Sequence, residues 1–413
     1  MLEENTTLRS NIIWNAIGCT ASAVTSLLFM IIITRINGVN DAGVFAIAFT
    51  SAMILSTIGF YGVRNYQVTD IHDKYSANEY IGARVVTAIL MMIIAILFTA
   101  INHYDFYKTI VVILLCLSKA LECFSDVYYG IMQKHGRLNI VGKSLFMKAF
   151  FGILIFAITL YFTKNLVYSI LTLIIVNVLI IIFYDLIKVS KFDTIKPKFD
   201  SKKIFSILFV CFAIFAFSFL SLLNVNFPKY SIDAMLPSAS QTIYGIIVMP
   251  ATAITLLCQF TIQPALTRLA NYFKNKDLAN FNKLIILMCL LITFFTAIFE
   301  ILCYFFGIWG LNLLYGLELS VYKYDLLIVV FGSLFSSIAL VLSAVLTTIR
   351  ITWIQLLIFV LDTILAIIIS PFLLKYYGIS GACYAYAIIM FFQLFGYSIV
   401  AFANSKRKNY FKD

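Results

Sequence analysis

Tyr107–Met132, YKTIVVILLCLSKALECFSDVYYGIM, is the stretch on which the reading of this chain turns. It reads as one helix, and a helix needs about 20 residues to cross a hydrocarbon core. Lys119, Glu122 and Asp126 nevertheless lie inside it. On an α-helix, spacings of three, four and seven set these charges within an arc of roughly 60°. Each charge near a bilayer centre costs about 2.5–3.5 kcal/mol on the insertion scale. Three of them on a lipid-facing stripe are implausible. The charged face is expected to look into a polar cavity or to form an internal ion-pair network that only fixes helix packing.

The rest of the chain supplies the bundle this helix needs. Of 413 residues, 62% are hydrophobic and 12% charged, with a mean hydropathy of +0.99. A soluble domain carries about 25% charged residues. The apolar runs are longer than the roughly 10-residue alternating strands of a membrane barrel. The expected fold is therefore an all-α polytopic membrane protein. Twelve spans are read, at roughly 11–34, 43–63, 80–102, 107–132, 140–162, 166–188, 203–225, 240–267, 283–306, 324–348, 352–376 and 379–402. The longest charged linker, Lys188–Lys203, divides an N-terminal six-helix lobe, 1–195, from a C-terminal one, 196–413. The start of the chain carries Glu3 and Glu4 rather than a basic region, so Ile12–Thr34 is expected to remain as the first span.

Charge placement predicts orientation. Of 30 Lys and Arg residues, about 23 fall on the side of the termini, among them Arg64, Arg84, Lys148, Arg268, Arg350, Lys406, Arg407, Lys408 and Lys412. About six fall on the other side: Arg35, Lys108, Lys164, Lys229, Lys323 and Lys375. The positive-inside rule then puts both termini in the cytoplasm. The net charge of +11 reads as topology plus attraction to anionic inner-leaflet lipid, with no nucleic-acid partner expected.

Enzymatic chemistry finds no support. There is no nucleotide-binding glycine loop, HExxH or GxSxG pattern. The eight cysteines show no CxxC spacing, so neither a disulfide framework nor a metal site is indicated. His72, His103 and His135 lie in loops and far apart. No cofactor is expected.

Further candidates are the other charges in or at the mouths of spans. Glu300 lies in span 9 and Asp362 in span 11; each is a buried carboxylate with either a protonated structural role or a proton-coupling one. Arg64 and Arg268 mark cytoplasmic helix ends and Arg35 and Lys229 outer ones; snorkelling anchors are the alternative for the first two. Pro250, Pro264 and Pro371 permit bends near a substrate path, or are simply prolines tolerated in membrane helices. Asn11, Asn15, Asn224 and Asn226 give spans 1 and 7 polar sides, for a cleft or for helix packing.

Four stretches, RINGVNDAGVF (35–45), KALECFSDVYYGIMQKHGR (119–137), NFPKYSID with QFTIQPALTRLANYF (226–233 and 259–273) and GISGACYAYA (378–387), give a likeness that spans essentially the full chain. In them the chain resembles the polysaccharide transporter family of the multidrug/oligosaccharidyl-lipid/polysaccharide exporter superfamily, and more closely its O-antigen or capsule repeat-unit flippases. The resemblance implies two six-helix lobes around a central cavity in the bacterial cytoplasmic membrane. It implies alternating-access transfer of undecaprenyl-diphosphate-linked oligosaccharide from the inner to the outer leaflet. The implied partners are that lipid-linked oligosaccharide and membrane lipid, with a polysaccharide polymerase and chain-length proteins as further candidates. Lys119, Arg35 and Lys229 are expected to meet the diphosphate, with Arg64 and Arg268 at the inner mouth. Glu122, Asp126, Glu300 and Asp362 are candidate ion-coupling or cavity carboxylates. Position 229 is often arginine in such sequences; Lys229 retains the charge without the bidentate fork. A cation-coupled multidrug or metabolite exporter of the same superfamily is the alternative, and a polyprenyl-linked sugar polymerase or ligase a more distant one.

Overall fold

The structure, a computed structural model, describes residues 2–70, 74–349 and 352–405. His72, Arg350, Lys406, Arg407, Lys408 and Lys412 lie outside them. The described residues form helices joined by short turns, with no strand. In chain order these are α1 (Leu2–Asn37), α2 (Val39–Phe60), α3 (Val63–Thr69), α4 (Ala77–Ile101), α5 (Phe106–Lys134), α6 (Leu138–Thr163) and α7 (Leu166–Ile180). A π-helical turn, Ile181–Leu186, leads into α8 (Ile187–Val189). Then come α9 (Ser201–Met235), α10 (Ser238–Lys274), α11 (Leu278–Leu302), a second π turn Cys303–Gly307, α12 (Ile308–Tyr315), α13 (Lys323–Thr348) and α14 (Thr352–Ser405).

Ten helical stretches among the described residues are long and apolar enough to cross a membrane. Helix α5 is not one of them, because Lys119, Glu122 and Asp126 interrupt its apolar run. Trp353–Ala403 is counted as one stretch of 51 residues. At about 1.5 Å per residue it is more than twice the length needed to cross a hydrocarbon core about 30 Å thick. It breaks at Gly378, whose φ of 56° and ψ of −133° are not helical. Adding α5 and dividing α14 at Gly378 gives the twelve spans read from the sequence. The protein is an all-α polytopic membrane protein.

The chain forms two compact units, Met1–Phe219 and Leu220–Asp413. The polar linker before α9 is docked on the first unit. Asn78 accepts from the Lys196 backbone N–H at 3.0 Å through its side chain, and from the Lys198 backbone N–H at 2.9 Å through its carbonyl. Glu79 receives the ammonium groups of Lys198 at 3.1 Å and Lys203 at 2.8 Å. The unit boundary accordingly falls inside α9 rather than in the linker.

Close helix approach in the first unit depends on small residues, as expected where lipid offers no hydrophobic drive. A Cβ on Gly142 would lie 2.1 Å from the Trp14 carbonyl oxygen, and one on Gly18 2.3 Å from the Gly142 carbonyl oxygen, so α1 and α6 are in backbone contact. Asn11 secures the same seam. Its side chain donates to the Gly136 carbonyl at 2.7 Å and accepts from the Asn139 N–H at 2.9 Å. In the second unit Asn224 does the equivalent work, donating to the Phe359 carbonyl at 3.0 Å and accepting from Thr363 Oγ1 at 2.6 Å. Both asparagines serve helix packing.

Candidate functional site

Helix α2 stops at two successive residues in the left-handed region, Tyr61 (φ 46°) and Gly62 (φ 67°). The Tyr61 N–H closes the helix on the Thr57 carbonyl at 2.8 Å. Glycine takes this conformation without penalty, and a Cβ at position 62 would meet the Ile214 side chain at 2.6 Å. The Tyr61 ring stacks on Phe215, centroids 4.5 Å apart, which holds the first half of α9 against the turn. The turn redirects the chain so that Arg64 enters in the first turn of α3, facing α5.

Arg64 meets α5 in two places. Its Nη1 lies 3.2 Å from Asp126 Oδ1 and its Nη2 donates to Gln133 Oε1 at 2.8 Å. Asp126 and Gln133 are seven residues apart, so they share one face of α5. The other carboxylate oxygen, Asp126 Oδ2, takes Arg84 Nη2 at 2.9 Å. Arg84 has no exposed surface. Its Nη1 donates to the Gly59 carbonyl at 2.5 Å, one of the end carbonyls that α2 leaves without a helical partner. Its Nε–H is buried and has no hydrogen-bond partner. Two guanidiniums thus share one carboxylate, and the cluster keeps one net positive charge.

The cluster opens on a cavity of about 650 Å³ within the first unit, lined by Thr57, Phe60, Arg64, Asn65, Thr69, Asp126, Gln133, Ile214 and Ser218 among others. That volume lies in the range that holds a small ligand or a ligand headgroup. Hydroxyl, amide and guanidinium groups on the wall suit a polar, anionic guest.

A second buried charge network lies on the neighbouring face of α5, that of Ser125 and Tyr129. Lys148 Nζ is 2.6 Å from Asp185 Oδ2, with side-chain exposures of 9% and 0%. The ammonium also donates to Ser125 Oγ at 2.5 Å and to the Tyr129 hydroxyl at 2.9 Å. Ser144 Oγ donates to Asp185 Oδ1 at 2.6 Å and lies 2.7 Å from the Tyr129 hydroxyl. Asp185 sits in the π-helical turn that interrupts the sixth span. Tyr129 stands between the networks, its ring centroid 5.8 Å from the Arg64 guanidinium carbon and 5.2 Å from Lys148 Nζ.

The structure places the sequence candidates as follows. Arg64 and Asp126 come together on the cavity wall. Lys119 pairs instead with Glu122 at 2.8 Å on its own helix and lies 5.3 Å from the Phe49 ring centroid; neither is a lining residue of this cavity. Arg35 is exposed in the last turn of α1. In the second unit, Lys229 is half-buried on α9 and its carbonyl accepts from the Gln241 side chain. Arg268 is exposed on α10, and Glu300 is half-buried on α11. Asp362 on α14 is 4% exposed, and its Oδ2 has no hydrogen-bond partner.

Two assignments are corrected. Arg84 and Lys148, counted from the sequence with the basic residues on the side of the termini, are buried partners of Asp126 and Asp185. They lie about 10 and 15 Å along their helices from the nearer ends, at 1.5 Å per residue. A signal was present: Lys119 and Glu122 neutralise each other at i, i+3, and Asp126 has no cation within four residues on its own helix, so it must find one on another.

Among known proteins, the chain is 27% identical over 318 residues to "Capsular polysaccharide biosynthesis protein CapF" of Staphylococcus aureus, covering 76% of this chain and 79% of that protein. Its fold matches the inward-facing conformation of a multidrug resistance MATE family transporter of the MOP superfamily, with a TM-score of 0.72 at 12% identity over 95% of this chain and 99% of that one. It also matches the lipid II flippase MurJ in an inward closed conformation, with a TM-score of 0.70 at 14% identity over 94% of this chain and 87% of that one. The sequence profile of the polysaccharide biosynthesis protein family matches residues 8–270, well over half the chain, and the protein belongs to that family.

Proposed function

We propose that this protein is a flippase that carries undecaprenyl-diphosphate-linked oligosaccharide repeat units from the inner to the outer leaflet of the bacterial cytoplasmic membrane, for capsule or O-antigen synthesis. The observation that carries the reading is the Arg64–Arg84–Asp126 cluster on a polar cavity inside a membrane helix bundle. Net positive charge in a membrane interior is expensive unless an anion uses it, and a planar guanidinium matches phosphate oxygens in a way an ammonium does not. Membership in a polysaccharide biosynthesis family, the capsular relative and the fold shared with a lipid II flippase support the same class of cargo.

In this reading the two lobes alternate in exposing a central path, with the sugar head in the polar interior and the polyprenyl tail in lipid. Arg64 on the cavity wall takes the diphosphate first, with Arg84 behind Asp126; Lys119, Arg35, Lys229 and Arg268 are further cationic positions along the path. The basic excess on the terminal side supports cytoplasmic termini. With the cytoplasm negative, each anionic charge moved outward across about 100 mV gains about 2.3 kcal/mol, so ATP is not required. Export of organic cations on the same scaffold is the weaker reading, because Asp126, the one acid among the described residues of this cavity wall, is already held by two guanidiniums.

The test is reconstitution in vesicles loaded with a fluorescent polyprenyl-diphosphate oligosaccharide. The wild-type protein is expected to expose the inner-leaflet pool to an impermeant quencher or glycosidase at least tenfold faster than empty vesicles. Equal rates would overturn the proposal.

A further inference from the structure

Asp126 occupies the positions that a phosphate would take. Each of its carboxylate oxygens meets a guanidinium nitrogen, Arg64 Nη1 at 3.2 Å and Arg84 Nη2 at 2.9 Å. The two arginines come from different helices, α3 and α4, and the acid from a third. This is the geometry of an anion bound between two forks, with the anion supplied by the protein. Arg84 is fixed by burial and by the Gly59 carbonyl, whereas the Arg64 side chain is 26% exposed and lines the cavity.

We infer that Asp126 is a resident anion that competes with the incoming diphosphate for Arg64 and Arg84, lowering affinity so that cargo is released. The inference rests on the diphosphate reading of the site and specifies how that site is regulated. A bare pair of guanidiniums in a low-dielectric cavity would hold a diphosphate too tightly to let it go, and binding that deep slows turnover. With Asp126 present, the incoming phosphate replaces one charge-assisted contact with another, and the gain is only the difference between them. When the cargo leaves, the carboxylate closes the same contacts, so neither guanidinium is left uncompensated. Gln133 accepts Arg64 during the exchange, at 2.8 Å from Nη2 and 3.3 Å from Nε, and keeps that side chain on the cavity wall.

Neutralising the acid should strengthen anion binding and weaken transport. The probes are inorganic pyrophosphate and geranyl diphosphate, titrated calorimetrically into the purified full-length protein in nanodiscs. Asp126→Asn is expected to bind both about tenfold more tightly than wild type while the turnover of vesicle transport falls. Adding Arg64→Gln to Asp126→Asn should abolish the gain. Because Asp126→Asn leaves Arg84 less well compensated and the variant could fail to fold, Gln133→Glu provides the reverse test. A second carboxylate on Arg64 should weaken pyrophosphate binding about tenfold with the melting temperature retained.

Unchanged or weaker binding in Asp126→Asn, or unchanged binding in Gln133→Glu, would overturn the inference. So would a wild-type protein and an Asp126→Asn variant that both fail to bind either probe. Tighter binding in Asp126→Asn together with a wild-type protein that moves no lipid-linked saccharide would instead sink the flippase reading and leave the resident anion standing.

Discussion

Lys148 and Asp185 meet at 2.6 Å with both side chains buried, and among the described residues their other hydrogen-bond partners, Ser125, Tyr129 and Ser144, belong to α5 or α6. Taking two charges out of water costs several kcal/mol per ion, and mutual attraction offsets this only when the remaining valences are filled. Ser125, Tyr129 and Ser144 fill them. Removing one partner should therefore harm more than removing both. Lys148→Met and Asp185→Leu should each destabilise the protein by about 3–5 kcal/mol, and the double variant by clearly less than either. Thermal unfolding in detergent of the four proteins checks this. A double variant as unstable as the sum of the singles would show that the two charges act independently.

The contrast between this pair and the fold shows what a sequence can reveal. Apolar run length and the charge alternation of the loops depend on local composition, so the twelve spans, and the break at Gly378 between the last two, were readable. Lys148 and Arg84 were not, because their roles depend on partners 37 and 42 residues away. A basic residue two or three turns into a helix looks the same whether it snorkels to the interface or pairs inside the bundle. Asp126 was legible as a cavity residue because three charges on one face of a span have few acceptable surroundings. Which cation would meet it was decided by the Tyr61–Gly62 turn, and that geometry has no composition signature.

Gly62 and Gly136 give a matched test of that turn. Both are left-handed, with φ of 67° and 68°, but a Cβ at 136 has open space while one at 62 strikes Ile214 at 2.6 Å. Gly136→Ala should lose only the backbone preference, about 1–2 kcal/mol. Gly62→Ala adds overpacking of typically 1–3 kcal/mol and should shift Arg64. The expected result is a lower melting temperature for Gly62→Ala than for Gly136→Ala, with pyrophosphate affinity reduced only in the former. Equal effects on both properties would mean that the contact with α9 does not set the turn.

Asp70, just beyond α3, offers a pH test outside the membrane spans. Burial alone would raise its pKa, but the Tyr80 hydroxyl at 2.8 Å and the backbone N–H groups of Lys74 at 3.1 Å and Tyr75 at 3.2 Å outweigh burial and hold the carboxyl below its usual value. A folded-state pKa below the unfolded value of about 3.9 means that the ionised form stabilises the fold. That contribution is fully present above the unfolded pKa and is lost as pH falls through the lower folded one. Wild type should therefore melt higher than Asp70→Asn at about pH 7, and the gap should close only below about pH 4. A gap that is constant down to about pH 3, or that widens on acidification, would contradict the assignment.

Arg84 should be less replaceable than Arg64. Its guanidinium spans two fixed acceptors, Asp126 Oδ2 and the Gly59 carbonyl, from a position with no exposed surface. A lysine there keeps the charge but has one compact ammonium where a rigid fork is needed, and a hydrogen bond to a charged group contributes about 1.5–3 kcal/mol. Arg64 reaches its partners from the cavity wall, where water can take up an unfilled valence. Arg84→Lys is thus expected to slow vesicle transport by about ten- to a hundredfold at roughly 1.4 kcal/mol per decade, and Arg64→Lys by less than tenfold. Initial rates at saturating lipid-linked saccharide, normalised to folded protein by size-exclusion profile, decide the matter. Arg84→Lys retaining wild-type rates would remove the buried guanidinium from the functional site and leave it a helix-packing residue.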